Sequence, residues 1–223
     1  TCAPDEFVVF DANCQFEISD YSGFATASDN CANTITITQS PAAGVFVSGP
    51  SAVTLTAEDE NGNTASCDFM IIPDDQTAPT ITCPVDQQVS LNSSCAYLLL
   101  DYTSMATAAD NCGTATVTQD VLVGTVVTAA TTIMLTATDD NGNTEACSFD
   151  VIPEDNTPPT VTCPGDQLVE FDQNCQFELP DYKQQLVAND NCLNVSIVQD
   201  PDEGTIITTQ TTVTMTVTDG NGN

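Results

Sequence analysis

Apolar and polar residues alternate in short runs along this chain. Residues 34–39 (TITITQ), 114–119 (TATVTQ) and 212–217 (TVTMTV) change character at every step, which is the period of a strand with one face buried. Val53, Leu55 and Ala57 hold the same phase as Ile133, Leu135 and Ala137, and as Val213, Met215 and Val217. These positions are expected to face a core, with the intervening threonines outward. Residues 146–153 (ACSFDVIP) alternate again. Asn-Gly closes the runs at 61–62, 141–142 and 221–222; both residue types tolerate positive φ, so a tight hairpin is expected at each. No segment of useful length carries the helical period. The chain is expected to be all-β, with six or seven short antiparallel strands in each stretch of about eighty residues, folded as a small sandwich.

The pattern repeats. "NGN" stands at 61–63, 141–143 and 221–223, "DNC" at 29–31, 110–112 and 190–192, and "DY" at 20–21, 101–102 and 181–182. "PDDQTAPTITCP" (73–84) and "PEDNTPPTVTCP" (153–164) separate the copies. Such self-similarity marks a tandem array. The expected modules are 1–75, 76–155 and 156–223, the third lacking its last strand. The uneven cut suggests a window on a longer array.

Eleven cysteines share this period: 2, 14, 31, 67, then 83, 95, 112, 147, then 163, 175, 192. At this density they indicate disulfides and an oxidising, extracellular setting. A zinc site is disfavoured, because there is no CxxC pair and no histidine. Four cysteines allow three pairings. First with fourth and second with third is favoured: Cys2–Cys67, Cys14–Cys31, Cys83–Cys147, Cys95–Cys112 and Cys175–Cys192, with Cys163 left over. Eighty residues bury a modest core, so such cross-links matter. The strand direction through 20–33 stays open in this scheme.

Charge narrows the function. The chain has 32 Asp and Glu against one basic residue, Lys183. Without Lys and Arg to displace phosphate counterions, nucleic acid is excluded as a partner, and so are anionic membrane surfaces. No run is apolar enough to insert into a membrane. An apolar content of 41% in alternating runs argues against disorder. The natural partner of such a surface is a cation.

The letters resemble the hyalin-repeat (HYR) family of extracellular modules. The match lies in "TCP" (82–84, 162–164), in "DNC", in "D-x-NGN", and in the following "C-x-F-x-V/I-x-P" (67–73, 147–153). The first copy has "TCA" in place of "TCP". The resemblance implies an immunoglobulin-like β-sandwich linked to adhesion and surface display, with no catalytic residues to carry over. The tryptophan of antibody-type domains is absent. The four-cysteine form looks like the bacterial variety of the family.

Carboxylates crowd the hairpin tips and the linkers. A tip such as "DDNGN" is in part a well-made turn, with Asp and Asn holding their own backbone. Calcium explains the additional crowding, since it takes six to eight oxygens from carboxylates, amides and carbonyls. The spacing is not that of an EF-hand. In an immunoglobulin-like module the late hairpin and an earlier loop lie where the preceding module attaches. The expected ligands at one joint are Asp74, Asp75, Asp110, Asn111, Asp139, Asp140, Asn141 and Asn143. At the next they are Glu154, Asp155, Asp190, Asn191, Asp219, Asn221 and Asn223. In the first copy Asp29, Asn30, Asp59, Asn61 and Asn63 await a linker.

An enzyme is disfavoured: there is no histidine to act as a base, and the cysteines other than Cys163 are expected in disulfides. The expected function is a calcium-stiffened extracellular stalk or filament whose partners are neighbouring copies or further modules of the same protein. A subunit could also supply a missing strand to its neighbour. The alternative is a ligand- or carbohydrate-binding accessory segment at the cell surface. Tyr21, Tyr102 and Tyr182 occupy equivalent positions, which favours the structural reading over a unique binding patch. "NSS" (92–94) and "NVS" (194–196) match a glycosylation acceptor, as chance allows in a Ser/Thr-rich chain.

Overall fold

The computed structural model describes residues 1–31, 34–192 and 194–223, and it is all-β. Among the described residues the helical elements are three single 3-10 turns, Ser22–Phe24, Thr103–Met105 and Lys183–Gln185. Each follows a "DY" dipeptide whose tyrosine is buried. The tyrosine N–H donates to a glutamine Oε1 in all three copies: Tyr21 to Gln39 at 2.7 Å, Tyr102 to Gln119 at 2.9 Å and Tyr182 to Gln199 at 2.8 Å. A β-sandwich core has no spare backbone partner at such a bend, so a side chain supplies one.

The chain divides into two compact units. The first comprises Thr1–Cys83, Tyr102–Asp120 and Met134–Cys147; the second comprises Pro84–Asp101, Val121–Ile133 and Ser148–Asn223.

In the first unit a four-stranded sheet runs in the order Glu6–Val9, Thr64–Asp74, Ser51–Asp59, Ile35–Ser40. A ribbon of Phe16–Glu17 paired with Phe46–Val47 forms the facing layer. Ile18, Tyr21, Val53, Leu55, Phe69 and Ile71 are buried in one cluster, with Phe16, Ile37 and Val47 packed against it. The alternation of apolar side chains on Ser51–Asp59 supplies Val53 and Leu55, and that on Thr64–Asp74 supplies Phe69 and Ile71. Each such side chain contributes about 1.5–3 kcal/mol on burial. The edge of the Tyr21 ring meets Phe69 at a centroid distance of 5.0 Å. Thr80–Thr82 pairs with Thr107–Ala109, and Thr116–Gln119 with residues 135–138, both antiparallel.

In the second unit the antiparallel pairs are Tyr97–Leu98 with Val126–Val127, Thr160–Thr162 with Val187–Asn189, Phe177–Glu178 with Ile206–Ile207, and Ser196–Asp200 with Thr214–Thr218. Leu99, Ile133, Phe149, Val151, Leu179 and Leu186 are buried. Val213 and Met215, counterparts of buried Val53 and Leu55, are only half-buried. They line a groove of about 430 Å³ together with Val169, Phe171 and Leu179.

Three expectations need correction. The sheets are not wholly antiparallel: Glu6–Val9 runs parallel to Ile71–Asp74, and Gln87–Ser90 to Val151–Glu154. The chain between them supplies the long crossover that parallel pairing needs. An aspartate caps the start of each pairing, with the Asp5 carboxylate accepting the Met70 N–H at 2.8 Å and Asp86 accepting Asp150 N–H at 2.9 Å. At the hairpin tips only the glycine is left-handed, with φ of 83° at Gly62, 91° at Gly142 and 95° at Gly222. The tight hairpins form as expected, but the preceding asparagines do not share the left-handed conformation, so each tip is a three-residue loop closed by a left-handed glycine.

The third correction concerns the cysteines. Cys2–Cys67 and Cys83–Cys147 form as expected. Cys14 is bonded to Cys112, not Cys31, and Cys95 to Cys192, not Cys112. Cys175 is not joined to Cys192; Cys31, Cys163 and Cys175 are free and exposed. The parallel strand explains this. It ends with Phe10 N–H donating to Asp74 O at 3.1 Å, so the turn that holds Cys14 lies at the start of the linker. The loop that carries Cys112 also arrives at the linker, as the acidic cluster below requires. The second copy repeats the arrangement, with Leu91 N–H donating to Glu154 O at 2.9 Å ahead of the Cys95 turn.

Candidate metal centre

Among the described residues two clusters of three aspartates form, each inside one unit. Carboxylate oxygens of Asp75, Asp110 and Asp139 lie within 4.8 Å of one another, and those of Asp155, Asp190 and Asp219 do the same. Three different elements deliver each set. Asp75 and Asp155 are the first residues beyond the long closing strands Thr64–Asp74 and Thr144–Glu154. Asp110 and Asp190 open the "DNC" loop. Asp139 and Asp219 open the hairpin tip.

Local hydrogen bonds fix each carboxylate. Asp139 Oδ1 accepts the N–H groups of Asn141 and Asn143 at 2.9 and 2.8 Å, and its Oδ2 accepts the Asn143 amide at 2.7 Å. Asp219 makes the same three bonds with Asn221 and Asn223. Burial raises the Asp139 pKa, but the bonds from Asn143, Asn141 and Gly142 outweigh it and hold the carboxyl below its ordinary value. For Asp219 the Asn223 side chain is the largest influence, and the pKa is again lowered. Both groups are therefore ionised at neutral pH. Asp110 Oδ2 accepts the Cys112 N–H, and Asp190 Oδ2 the Cys192 N–H, each at 2.8 Å. Asp75 Oδ1 accepts the Thr77 N–H at 3.0 Å, and Asp155 Oδ1 the Thr157 N–H at 3.1 Å.

The remaining oxygens have no donor. Asp75 Oδ2, Asp110 Oδ1 and Asn111 Oδ1 are buried without a hydrogen-bond partner, as are Asp155 Oδ2, Asp190 Oδ1 and Asn191 Oδ1. The two triplets match atom for atom. A buried acceptor without a donor costs about 1–3 kcal/mol, and more when charged. Carboxylates packed this closely also repel by at least about 1 kcal/mol per pair. No basic side chain offsets this, because Lys183 is engaged with Glu203 at 3.2 Å and Asp181 at 3.8 Å. An oxygen-only, anionic donor set is the chemistry of a hard divalent cation. Asp75, Asp110, Asn111 and Asp139 fit such an ion, and so do Asp155, Asp190, Asn191 and Asp219.

The other expected ligands fall into three groups. Asn143 and Asn223 act as clamps: their amides donate to the backbone carbonyls of Asp75 at 3.0 Å and Asp155 at 2.8 Å, tying tip to linker. Asp74, Asp140, Asn141, Glu154 and Asn221 lie outside the clustered aspartates; Asp74 is exposed and accepts from the Asn141 amide at 3.2 Å. In the first copy Asp59 makes the same tip bonds to Asn61 and Asn63, and Asp29 Oδ2 accepts the Cys31 N–H at 2.7 Å. No linker aspartate joins them among the described residues, and Asp29, Asn30, Asn61 and Asn63 are exposed.

Sequence reasoning missed the disulfide beside each cluster. Cys112 lies two residues after Asp110, and Cys14 sits on the turn anchored at Asp74. The Asn111 amide donates to the Asp11 carbonyl at 3.3 Å, and the Asn191 amide to the Asn92 carbonyl at 3.2 Å, so the same loop is held twice. The signal was present: a loop that delivers Asp110 to the linker must bring Cys112 with it.

The comparisons with known proteins agree with the repeat. The HYR domain model matches residues 13–72 and 74–152, more than half of the chain. Hyalin of Lytechinus variegatus is 33% identical over 150 residues, covering 63% of this chain and 28% of that protein. Hyalin of Strongylocentrotus purpuratus is 35% identical over 150 residues, covering 63% of this chain and 12% of that protein. The chain thus spans under a third of these relatives. Both are animal proteins, so the bacterial affinity expected from the four-cysteine form finds no support in them. Among solved structures, the protocadherin gammaB4 extracellular domain overlaps 98% of this chain and 42% of its own, at 14% identity and a TM-score of 0.40. Among the described residues no helix is long and apolar enough to cross a membrane. On the strength of the family match, this chain belongs to the HYR domain family.

Proposed function

We propose that this chain is a run of three extracellular HYR modules, divided near residues 75 and 155, whose two internal joints are each stiffened by one calcium ion. The six buried oxygens without donors carry the reading. A bound cation would supply charge neutralisation and coordination to oxygens that otherwise repel. Asp75, Asp110, Asn111 and Asp139 would hold one ion, and Asp155, Asp190, Asn191 and Asp219 the other. Asn143 and Asn223 would keep tip and linker in register. The clustered residues come from adjacent repeats, so an ion held by all of them would restrict bending there. A chain stiffened in this way suits a stalk or filament in an adhesive surface layer, joined to further copies or modules of the same protein. The disulfides fit an oxidising, extracellular place.

Extracellular modules bind calcium at about 10⁻⁴–10⁻³ M. Calorimetric titration of the calcium-stripped chain with calcium chloride should give two sites in that range or tighter. Thermal melting should show a higher midpoint with calcium than with a chelator. A featureless titration together with coincident melts would remove the proposal.

A further inference from the structure

We propose that the outer face of the ribbon Tyr97–Leu98 with Val126–Val127 docks a second copy of this chain, like face against like face. Leu98, Leu100, Leu122, Val123 and Val126 are all exposed, from 52% at Leu98 to 78% at Leu122. They belong to one compact unit. Leu98 stands directly opposite Val126, so their side chains leave the ribbon on the same side. Leu99 and Val127 alternate with them and are buried, and Leu100 returns to the outward phase of Leu98. The turn that carries Leu122 and Val123 is pinned to this strand. Gly124 N–H donates to the Leu99 carbonyl at 2.7 Å, and Thr125 N–H to the Leu122 carbonyl at 3.1 Å.

The sister repeats keep the same face charged. Glu17 and Glu178 stand where Leu98 does, and Asp202 and Glu203 stand where Leu122 and Val123 do, all of them exposed. The backbone beneath them is the same. Phe16–Glu17 pairs with Phe46–Val47, and Phe177–Glu178 with Ile206–Ile207. Gly44 and Gly204 donate to the Ile18 and Leu179 carbonyls, each at 2.8 Å. Folding of the ribbon therefore does not call for leucine or valine at these points. In a chain with 32 acidic residues and one basic residue, a face cleared of charge needs another cause.

Charge also selects the occupant. A cationic partner would be held by carboxylates, and this face carries none. A partner as acidic as the chain itself has to be met on neutral ground, because like charges set face to face oppose association. A second copy is such a partner. A two-fold contact sets each face against its own image, where a single glutamate would confront its counterpart. The area suffices for a weak pair. The five side chains expose about 500 Å² of apolar surface, at the upper end for the largest patch of a typical monomer. Two such faces together remove about 1,000 Å² from water, the lower bound of a specific interface. The ribbon and its turn are already ordered, so little ordering remains to oppose docking. This gives a surface to the association with further copies proposed above and rests on that part of it, not on the cation.

The test takes the 223-residue chain with its exposed thiols alkylated and follows it by sedimentation equilibrium. A monomer–dimer equilibrium is expected, with a dissociation constant on the order of 10–100 µM. It should tighten between about 0.15 M and about 0.5 M salt, as the repulsion between two chains of net charge −31 is screened. Leu98→Glu and Val123→Glu should each weaken it at least about tenfold. Glutamate at both positions in a sister repeat shows that the ribbon accepts the change, and matching melting midpoints check it. Phe46→Glu, on the ribbon of the first repeat beside Glu17, should leave the equilibrium unchanged. A chain that stays monomeric to about 1 mM, a dimer that weakens with salt, or equal losses in all three variants would each overturn the proposal. So would species larger than a dimer, or a monomeric chain that binds neutral phosphatidylcholine vesicles. The measurement is repeated with calcium and with chelator. A dimer that needs calcium and survives Leu98→Glu is cation bridging between acidic surfaces, and sinks the proposal. Dimers of a chain that binds no calcium sink only the cation reading, and calcium binding by a chain that stays monomeric sinks only this one.

Discussion

The second and third hairpin tips differ from the first more in their surroundings than in the shared Asp-x-Asn-Gly-Asn sequence. "EDENGN" at 58–63 and "TDDNGN" at 138–143 fold into the same loop around an aspartate that accepts three hydrogen bonds. Asp139 is 8% exposed and Asp219 7%, whereas Asp59 is half-buried and Asn63 exposed. What differs is a linker aspartate, Asp75 or Asp155, lodged against the tip. The letters of a turn make a turn, and a carboxylate from an adjoining segment makes a cluster of three. Local sequence therefore identifies candidates, while topology decides among them.

The largest effect expected from this contrast follows from neutralising one buried carboxylate. Asp110→Asn should weaken calcium at the first joint by at least about tenfold. Asp29→Asn, the same change in the first copy, should shift neither of the two sites by more than about twofold. Calorimetric titration of the two variants side by side reads both, and equal losses would erase the distinction between tips.

Next in size is the covalent bond at the joint. Cys14→Ser should cost about 2–4 kcal/mol of unfolding free energy in denaturant melts. Cys31→Ser should leave the melt of the monomeric chain unchanged, because Cys31 is free.

A gain of function sharpens the comparison further. Placing the linker sequence of 73–81 ahead of Thr1 should raise the calcium stoichiometry from two to three, by giving Asp29 and Asp59 their missing neighbour. A stoichiometry that stays at two would mean that the first tip differs in more than its linker.

The smallest effect is expected at alkaline pH. Burial, with the Glu6 carboxylate beside the phenol, pushes the Tyr21 pKa up to about 12. A folded-state pKa above the unfolded value of about 10 stabilises the fold fully below pH 10. That stabilisation fades as pH rises from about 10 through about 12. Melting midpoints of the Tyr21→Phe variant should accordingly fall less than those of the parent chain across that interval.

Much of this was legible in the letters. Val53, Leu55, Ile133 and Leu135 alternate with polar residues and are buried as that period requires. Asp75, Asp110 and Asp139 were readable as partners because three carboxylates at fixed places in a repeat need a common counter-charge. The parallel strands were not readable, since an alternating run carries no sign of its direction. The pairing of Cys14 followed from that omission. Treating the module as self-contained made Cys31 the natural partner, whereas the strand ending at Asp74 carries the turn away to the linker. Asp74 and Asp140 adjoin true cluster members, yet strand alternation and the tip geometry turn their side chains to solvent; a sequence window cannot separate neighbours on that scale.

The parallel pairing of Glu6–Val9 with Ile71–Asp74 has a mechanical corollary. With the Cys2–Cys67 bond reduced, tension applied to the ends of that repeat would pull the two strands past each other and load their hydrogen bonds together in shear instead of peeling them one at a time. With the bonds formed, Cys2–Cys67 and Cys83–Cys147 shunt the load around most of each repeat. Polypeptide enclosed by those bridges cannot pay out under tension, and a chain built this way should resist stretching until covalent bonds bear the force.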